Sequence, residues 1–254
     1  MADHLFRCSS IGRLMTEPKT KSEGPLSVGA KTYIRELAAQ EIFGVEFIFS
    51  SRETEKGIEV ENESIALLNR VRGLSLKKNE ERRNNGLITG ECDLFDAQRN
   101  RGHDLKSSWS LKTFPAFAED CEDKLYEWQM RGYMMLWDAD EWEVNYGMVD
   151  TPERLIGYEP MSLHVVSHIP EHMRLTTWLV KRDREKEAQI RNKVEYARDY
   201  YMKVLRDFDR THGYADSIID TMGAPLHFVT DAPATSPVAT KPQPAAPAEL
   251  PDLF

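Results

Sequence analysis

Up to Val71, hydrophobic residues recur mostly at the three- and four-residue spacing of helices. A serine before such a run and a glycine after it are common start and stop signals. The predicted elements are a short helix after Ser9 or Ser10, a helix from Ser27 to Gly44, a strand or extended segment over Val45–Ser50, and an amphipathic helix over Gly57–Val71 with Ile58, Ile65 and Leu68 on its buried side. This part of the chain is therefore predicted to be mainly helical.

After a polar loop over Lys77–Asn85, the dipeptide Asn85-Gly86 gives a strong hairpin signal, and the hydrophobic pattern changes to a period of two. The alternation predicts one strand over Leu87–Phe95 and a neighbouring strand over Gly102–Ser107. The remaining predicted elements are a helix over Asp120–Trp137, strands over Glu141–Val149 and Met161–Ser167, and a sign-alternating helical region from Pro170 to about Phe208. Together they predict a mixed α/β (α+β) fold, with a central mixed sheet flanked by helices and extra helices at both ends.

Beyond Asp231 the composition changes to Ala, Pro, Thr and Ser, which cannot bury enough apolar surface to order a segment. We therefore predict one folded domain over residues 1–230 and a disordered tail over residues 231–254. The tip, Glu249–Phe254, is similar to short peptides that dock on replication proteins, and its partner-binding candidates are Leu250, Leu253 and Phe254. The alternative is a tail that ends in apolar residues by chance.

The charge balance limits the way in which the protein binds nucleic acid. Lys and Arg number 33 against 42 Asp and Glu, a formal net charge of -9, so binding by bulk positive charge is not expected. The three cysteines form no CxxC pair and give no zinc site within one chain. With no apolar stretch as long as a membrane span, the sequence predicts a cytoplasmic protein without a membrane partner.

Two carboxylates and a lysine carry the candidate chemistry. Asp104 and Lys106 point to the same face of a strand because side chains repeat every two residues, and a neighbouring strand can place Asp93 beside them. Carboxylates bind Mg²⁺, which assists hydrolysis of phosphodiesters, and a nearby lysine can orient water. The Leu105 carbonyl is a natural additional ligand. On its own, the D-x-K pattern is common by chance and is more typical of exposed residues at a strand end with a solvated lysine, so the choice depends on the accessory positions.

Those positions resemble a known family. Gly90–Asp93 with Asp104–Ser108 is similar to the core signature of RecB-type and lambda-type (YqaJ-like) phage exonucleases of the PD-(D/E)XK superfamily, with Cys92 where proline is the convention. Gly57–Glu61 resembles the family's G-x-x-x-E element, and Gln129–Tyr133 resembles its Q-x-x-x-Y element. The resemblance implies a restriction-endonuclease-like core and one or two Mg²⁺ ions, or Mn²⁺ in their place.

The resemblance also assigns roles to residues. It implies that Asp93, Asp104, Glu61 and the Leu105 carbonyl bind the metal, that Lys106 positions the attacking water, and that Gln129 orients a ligand. Glu59 competes with Glu61 for the helix position, and the motif spacing favours Glu61. The candidates for DNA contact are Arg7, Ser10, Ser107, Ser108, Lys112, Arg131 and Tyr133.

The sequence therefore predicts a metal-dependent exonuclease that digests linear duplex DNA, in the 5′-to-3′ direction, for phage-type recombination with a single-strand annealing protein. Arg7 and Ser10 resemble the residues with which lambda-type enzymes receive a 5′-phosphate. The resemblance also suggests a ring of identical subunits. Two alternatives remain open: a structure-specific or restriction-like endonuclease, and a non-catalytic DNA-binding adaptor that acts through its C-terminal peptide.

Overall fold

The computed structural model describes residues 4–48 and 50–212. The helices are α1 (Ile11–Leu14), α2 (Val28–Phe43), α3 (Arg52–Glu59), α4 (Glu61–Arg72), α5 (Lys124–Trp137), α6 (Glu153–Ile156) and α7 (Arg184–His212). The strands are β1 (Phe6–Arg7), β2 (Arg82–Asn84), β3 (Ile88–Glu91), β4 (Leu94–Asp96), β5 (Arg101–Ser107), β6 (Glu141–Gly147) and β7 (Leu175–Lys181). No helix in these ranges is long and apolar enough to cross a membrane.

The strands form two sheets in the described part of the chain. The larger sheet has the order β4-β5-β6-β7, with a parallel pair β5–β6 between two antiparallel pairs, and the smaller has the order β1-β3-β2. Parallel neighbours need a crossover connection, and the segment between β5 and β6 supplies it with α5. The predicted α/β class, a mixed sheet flanked by helices, is confirmed.

Helices cover both faces of β5. On one face, Leu105 packs with Ile65 and Leu68 of α4. On the other, α5 places buried side chains against the sheet, where Tyr133 stacks on Trp142 of β6 at a ring distance of 5.2 Å. The inner strand β5, which carries Asp104 and Lys106, is therefore packed between α4 on one face and α5 on the other.

Several helix boundaries follow the sequence signals. Ser27 accepts a hydrogen bond from the Ala30 N–H at the start of α2, and Gly44 ends that helix in the left-handed conformation with φ 62°. The helix predicted over Gly57–Val71 is two helices instead, because the chain bends at Val60, and the predicted core residue Ile58 is 74% exposed.

Two strand predictions and one helix prediction need correction. The predicted strand Leu87–Phe95 is broken at Cys92–Asp93 into β3 and β4, which belong to different sheets. Met161–Ser167 contains a short 3-10 turn rather than a strand. The strand next to β6 is β7, which lies inside the region predicted as helical from Pro170, since β7 pairs with β6 along its whole length. The described part of Val45–Ser50 pairs with no strand.

Candidate active site

The break between β3 and β4 places Asp93 at the edge of the larger sheet. The Leu105 N–H donates to Asp93 Oδ2 at 2.6 Å, so the carboxylate takes the position that a neighbouring strand would occupy. Behind it, the Asp93 carbonyl accepts from the Asn79 N–H at 2.8 Å. In an extended strand the N–H and C=O of one residue point to the same edge. The Leu105 carbonyl therefore faces the edge at which Asp93 lies.

Asp104 and Lys106 share the face of β5 that α5 covers. Lys106 Nζ lies 2.7 Å from Asp104 Oδ2, and the side chains are 24% and 2% exposed respectively. Burial lowers the pKa of Lys106, but the Asp104 carboxylate outweighs that effect and raises the pKa above its usual value. The ammonium also lies 4.4 Å from the centre of the Tyr126 ring. Lys106 is thus a charged donor with one side open to the solvent.

Two residues of α5 position Asp104: Gln129 contacts it directly, and Tyr133 contacts Gln129. Gln129 Nε2 donates to Asp104 Oδ1 at 3.2 Å and lies 3.3 Å from the Tyr133 hydroxyl. That hydroxyl donates in turn to the Glu91 carbonyl at 3.0 Å. A Cβ on Gly90 would lie 2.8 Å from the Tyr133 ring, so this contact requires glycine. The chain of hydrogen bonds fixes Asp104 relative to the end of β3.

Glu61 begins α4 on the opposite wall and forms an ion pair with Lys78. Glu59 points elsewhere and pairs with Arg154. Between the walls lies a cleft of about 600 Å³. Its lining includes Thr54, Gly57, Ile58, Glu61, Asp93, Leu105, Lys106, Ser107, Ser108, Trp109, Tyr126 and Tyr146. Glu61, rather than Glu59, therefore shares a cleft with Asp93 and Lys106.

Glu61 and Asp104 are paired with Lys78 and Lys106, whereas Asp93 has a backbone N–H as its hydrogen-bond partner. Burial, and then the neighbouring Asp104 carboxylate, raise the pKa of Asp93 to about 7, although the Leu105 N–H and Lys106 oppose the shift. A buried carboxylate, Asp104, next to a half-buried one, Asp93, is a costly arrangement that a cation relieves. In the described ranges, no three acidic, histidine or cysteine side chains lie close enough together to hold a metal ion by themselves. The donor set of two carboxylates and a carbonyl still fits Mg²⁺ or Mn²⁺, since Mg²⁺ usually takes one or two carboxylates and fills its other positions with water and phosphate oxygens.

A solved structure identifies the family. A phage-related exonuclease from Haemophilus somnus 129PT is 36% identical to the chain over 81% of this chain and 97% of that one, with a TM-score of 0.76. The chain belongs to this exonuclease family of the PD-(D/E)XK superfamily. An alkaline exonuclease from Laribacter hongkongensis shares the fold at 14% identity and a TM-score of 0.62, over 82% of this chain and 93% of its own. The same protein in complex with dAMP superposes with a TM-score of 0.57 at 16% identity, over 82% and 93% of the two chains. No protein-family model and no curated protein matches the chain.

Three of the residues predicted to contact DNA lie in or near the cleft of the exonuclease. Ser107 and Ser108 line it, and the Ser107 hydroxyl hydrogen-bonds to that of Ser64 in α4 at 2.8 Å. Lys112 is exposed, four residues along the chain from Ser108. DNA contact by these residues remains a prediction.

Arg7 and Ser10 lie on the N-terminal side of the exonuclease. Arg7 is paired with Thr89 of β3 in the smaller sheet, and its exposed guanidinium donates to Glu46 at 3.1 Å. Ser10 is the N-cap residue of α1, without a side-chain capping bond. The strand that carries Arg7, β1, pairs with β3, and β3 ends at the break that carries Asp93. DNA contact by Arg7 and Ser10 remains a prediction.

The positions of Arg131 and Tyr133 argue against the predicted DNA contacts. Arg131 is buried on α5, and its guanidinium donates to Glu127 and to the Lys181 carbonyl at 3.2 Å. Tyr133 is buried and donates within the protein, as described above. The partner-binding candidates Leu250, Leu253 and Phe254 lie outside the described residues.

Two contacts of lysines near the site were not predicted from the sequence: the Lys78–Glu61 pair and the bonds of buried Lys56. Lys78 is near the cleft because its loop is held there by Asn79, which the sequence shows only as a polar loop. Lys56 is completely buried in α3 and donates to the carbonyls of Ser108 and Trp109 at 2.6 and 3.1 Å. The predicted helix began at Gly57, so nothing in the pattern placed Lys56 inside an element.

Proposed function

We propose that the exonuclease hydrolyses phosphodiester bonds at the ends of linear duplex DNA and requires Mg²⁺, or Mn²⁺ in its place. One observation carries the proposal: Asp93, the Leu105 backbone and the Asp104–Lys106 pair meet at one edge of β5, facing an open cleft. A pair of adjacent carboxylates beside an ammonium is typical of a site that handles phosphate with a divalent ion.

Asp93, Asp104, the Leu105 carbonyl and Glu61 are the residues that would hold one or two ions. When bound, the ion supplies positive charge that polarises the scissile phosphate. The raised pKa of Asp93 supports this assignment, because burial and then repulsion by Asp104 raise it and a bound cation would offset both effects.

The chain's own residues would position the reactants. Lys106 donates from the floor of the cleft and would orient the attacking water or the phosphate oxygen next to it. Gln129 keeps Asp104 in one orientation through the 3.2 Å hydrogen bond. Ser107, Ser108 and Lys112 would contact the phosphate backbone, which gives affinity without sequence preference.

The choice of DNA ends belongs to the same proposal. Arg7 and Ser10 would receive a 5′-phosphate, which gives digestion in the 5′-to-3′ direction. Arg7 is exposed and supplies a guanidinium suited to phosphate. The single strand that remains would serve recombination with an annealing protein in the cytoplasm of a bacterial host, recruited through Leu250, Leu253 and Phe254. A ring of identical subunits would keep the enzyme on its substrate.

The test is digestion of a linear duplex with 5′-phosphate or 5′-hydroxyl ends beside a covalently closed circle, in Mg²⁺ or EDTA. We expect wild-type protein and the control Lys181→Ala, an exposed lysine on β7, to degrade the linear duplex only in Mg²⁺. Lys106→Ala should lose about a hundredfold or more in rate, the usual scale for a positioned charged group in catalysis. Cutting of the circle would indicate an endonuclease, and full activity of Lys106→Ala would refute the assigned site.

A further inference from the structure

Lys78 is held beside the Glu61 wall of the cleft by the loop that carries it. Asn69 of α4 makes two hydrogen bonds with Leu76, at 2.9 and 3.0 Å. Asn79 donates from its backbone to the Asp93 carbonyl at 2.8 Å and from its side chain to the Cys92 carbonyl at 3.1 Å. The backbone on both sides of Lys78 is therefore fixed, on one side to the Glu61 helix and on the other to the break that carries Asp93.

From this position the side chain reaches the metal-binding candidates. Lys78 forms an ion pair with Glu61, and the two side chains are 50% and 29% exposed. The Glu61 carboxylate chiefly, and those of Asp93 and Glu91 more weakly, raise the pKa of Lys78 above its usual value. The next residue in the chain, Lys77, is also exposed but is not paired with Glu61.

A divalent ion bound to Glu61 would compete with the Lys78 ammonium for the charge of the same carboxylate. The cation that is displaced from Glu61 can pair with another anion. When DNA is bound in the cleft, its backbone phosphates are the nearest abundant anions. We propose that Lys78 holds Glu61 in the metal-free enzyme, is displaced from it by the divalent ion, and then binds a DNA phosphate, so that metal loading increases DNA affinity. This inference rests on the proposed function of the same cleft.

The first test measures Mn²⁺ binding by calorimetry without DNA. Removing a surface ion-pair partner changes an equilibrium by about two- to fivefold. Lys78→Ala should therefore bind Mn²⁺ about two- to fivefold more tightly than wild type, and Lys77→Ala should bind it as wild type does. In a Glu61→Gln background the effect of Lys78→Ala should disappear, which separates a specific pair from a general loss of positive charge.

The second test measures duplex DNA binding across a salt series, in EDTA and in Ca²⁺, with a gel confirming that the duplex stays intact. Lys78→Ala should weaken binding several-fold in Ca²⁺ and reduce the salt slope by about one, since one phosphate contact is lost. In EDTA the same variant should bind DNA as wild type does, because Lys78 is then paired with Glu61 and makes no phosphate contact.

Unchanged or weaker Mn²⁺ binding by Lys78→Ala, or an equal loss of DNA affinity in EDTA and Ca²⁺, would overturn the inference. Failure of the proposed function looks different: wild-type protein would then bind no Mn²⁺ and degrade no DNA. An active, Mn²⁺-binding enzyme that is insensitive to Lys78→Ala refutes the exchange role of Lys78 alone.

Discussion

Lys56 lies in α3 with no solvent exposure, and its ammonium donates to two carbonyl groups, those of Ser108 and Trp109. Burial lowers the pKa of this lysine from 10.5 to about 8, against an opposing effect of Asp150. This lowering of the Lys56 pKa means that the protonated lysine destabilises the folded protein by about 3 kcal/mol. A neutral amine keeps two N–H donors, which are enough for both carbonyls.

The sign of the pH dependence follows from these two pKa values. Below about pH 8 the lysine is protonated in the folded and unfolded states, and the whole penalty is present. Between about 8 and 10.5 the unfolded chain still holds the proton that the folded protein has released, so stability rises with pH. Above 10.5 the penalty is absent.

Lys56→Met removes the titration and both hydrogen bonds while keeping the length of the side chain. Two hydrogen bonds at roughly 0.5–1.5 kcal/mol each amount to about 2 kcal/mol, lost at every pH. At pH 7 removal of the ~3 kcal/mol penalty offsets that loss, so the variant should be as stable as wild type or about 1 kcal/mol more stable. Near pH 10.5 it should be less stable by about 2 kcal/mol.

Urea unfolding at several pH values between about 7 and 10 measures this difference, because the other titrating groups are common to both proteins and cancel. Lys112→Met, a matched substitution at an exposed lysine, should show a difference from wild type that does not change with pH. A difference between Lys56→Met and wild type that is constant over the whole range would refute the assignment of a buried, pKa-lowered lysine.

Two further substitutions test the site and its support. Gly90→Ala should lower the free energy of unfolding by about 1–3 kcal/mol, because the new Cβ would lie 2.8 Å from the Tyr133 ring. Gly57→Ala, with open space around the new Cβ, is its control in the same urea experiment. Glu61→Gln should reduce nuclease activity roughly 10- to 100-fold, whereas Glu59→Gln should leave it unchanged, and equal losses in a digestion assay on linear duplex would contradict the choice of Glu61.

Part of the site could be predicted because its geometry is local. Asp104 and Lys106 lie two apart in a strand, and the period of two puts them on one face whatever the neighbours are. Gln129 follows from helical spacing once α5 is packed on that face. The predicted alternation over 87–95 was correct residue by residue, yet a pattern cannot show that a chain changes sheets in the middle of it.

The remaining errors come from long-range pairing. The segment of β7 lies between charged stretches that favour helix, and it is a strand because β6 offers a free edge for seven residue pairs. Lys56 and Lys78 acquire their roles from partners 52 and 17 residues away. Contacts over such distances in sequence leave no periodic signal, so the partners of these two lysines could be found only in the folded protein.

The break at Cys92–Asp93 connects the fold to the chemistry. If β3 continued into β4 as one unbroken strand, the Asp93 carboxylate could not accept the hydrogen bond from the Leu105 N–H at the edge of β5. With the break, Glu61, Asp93 and Asp104 face Lys78 and Lys106, which leaves one formal negative charge among these five side chains. One divalent ion together with one phosphodiester group brings that sum to zero. Formal charge therefore favours the binding of a single ion with each phosphodiester, and a second ion would require a further anion from the DNA.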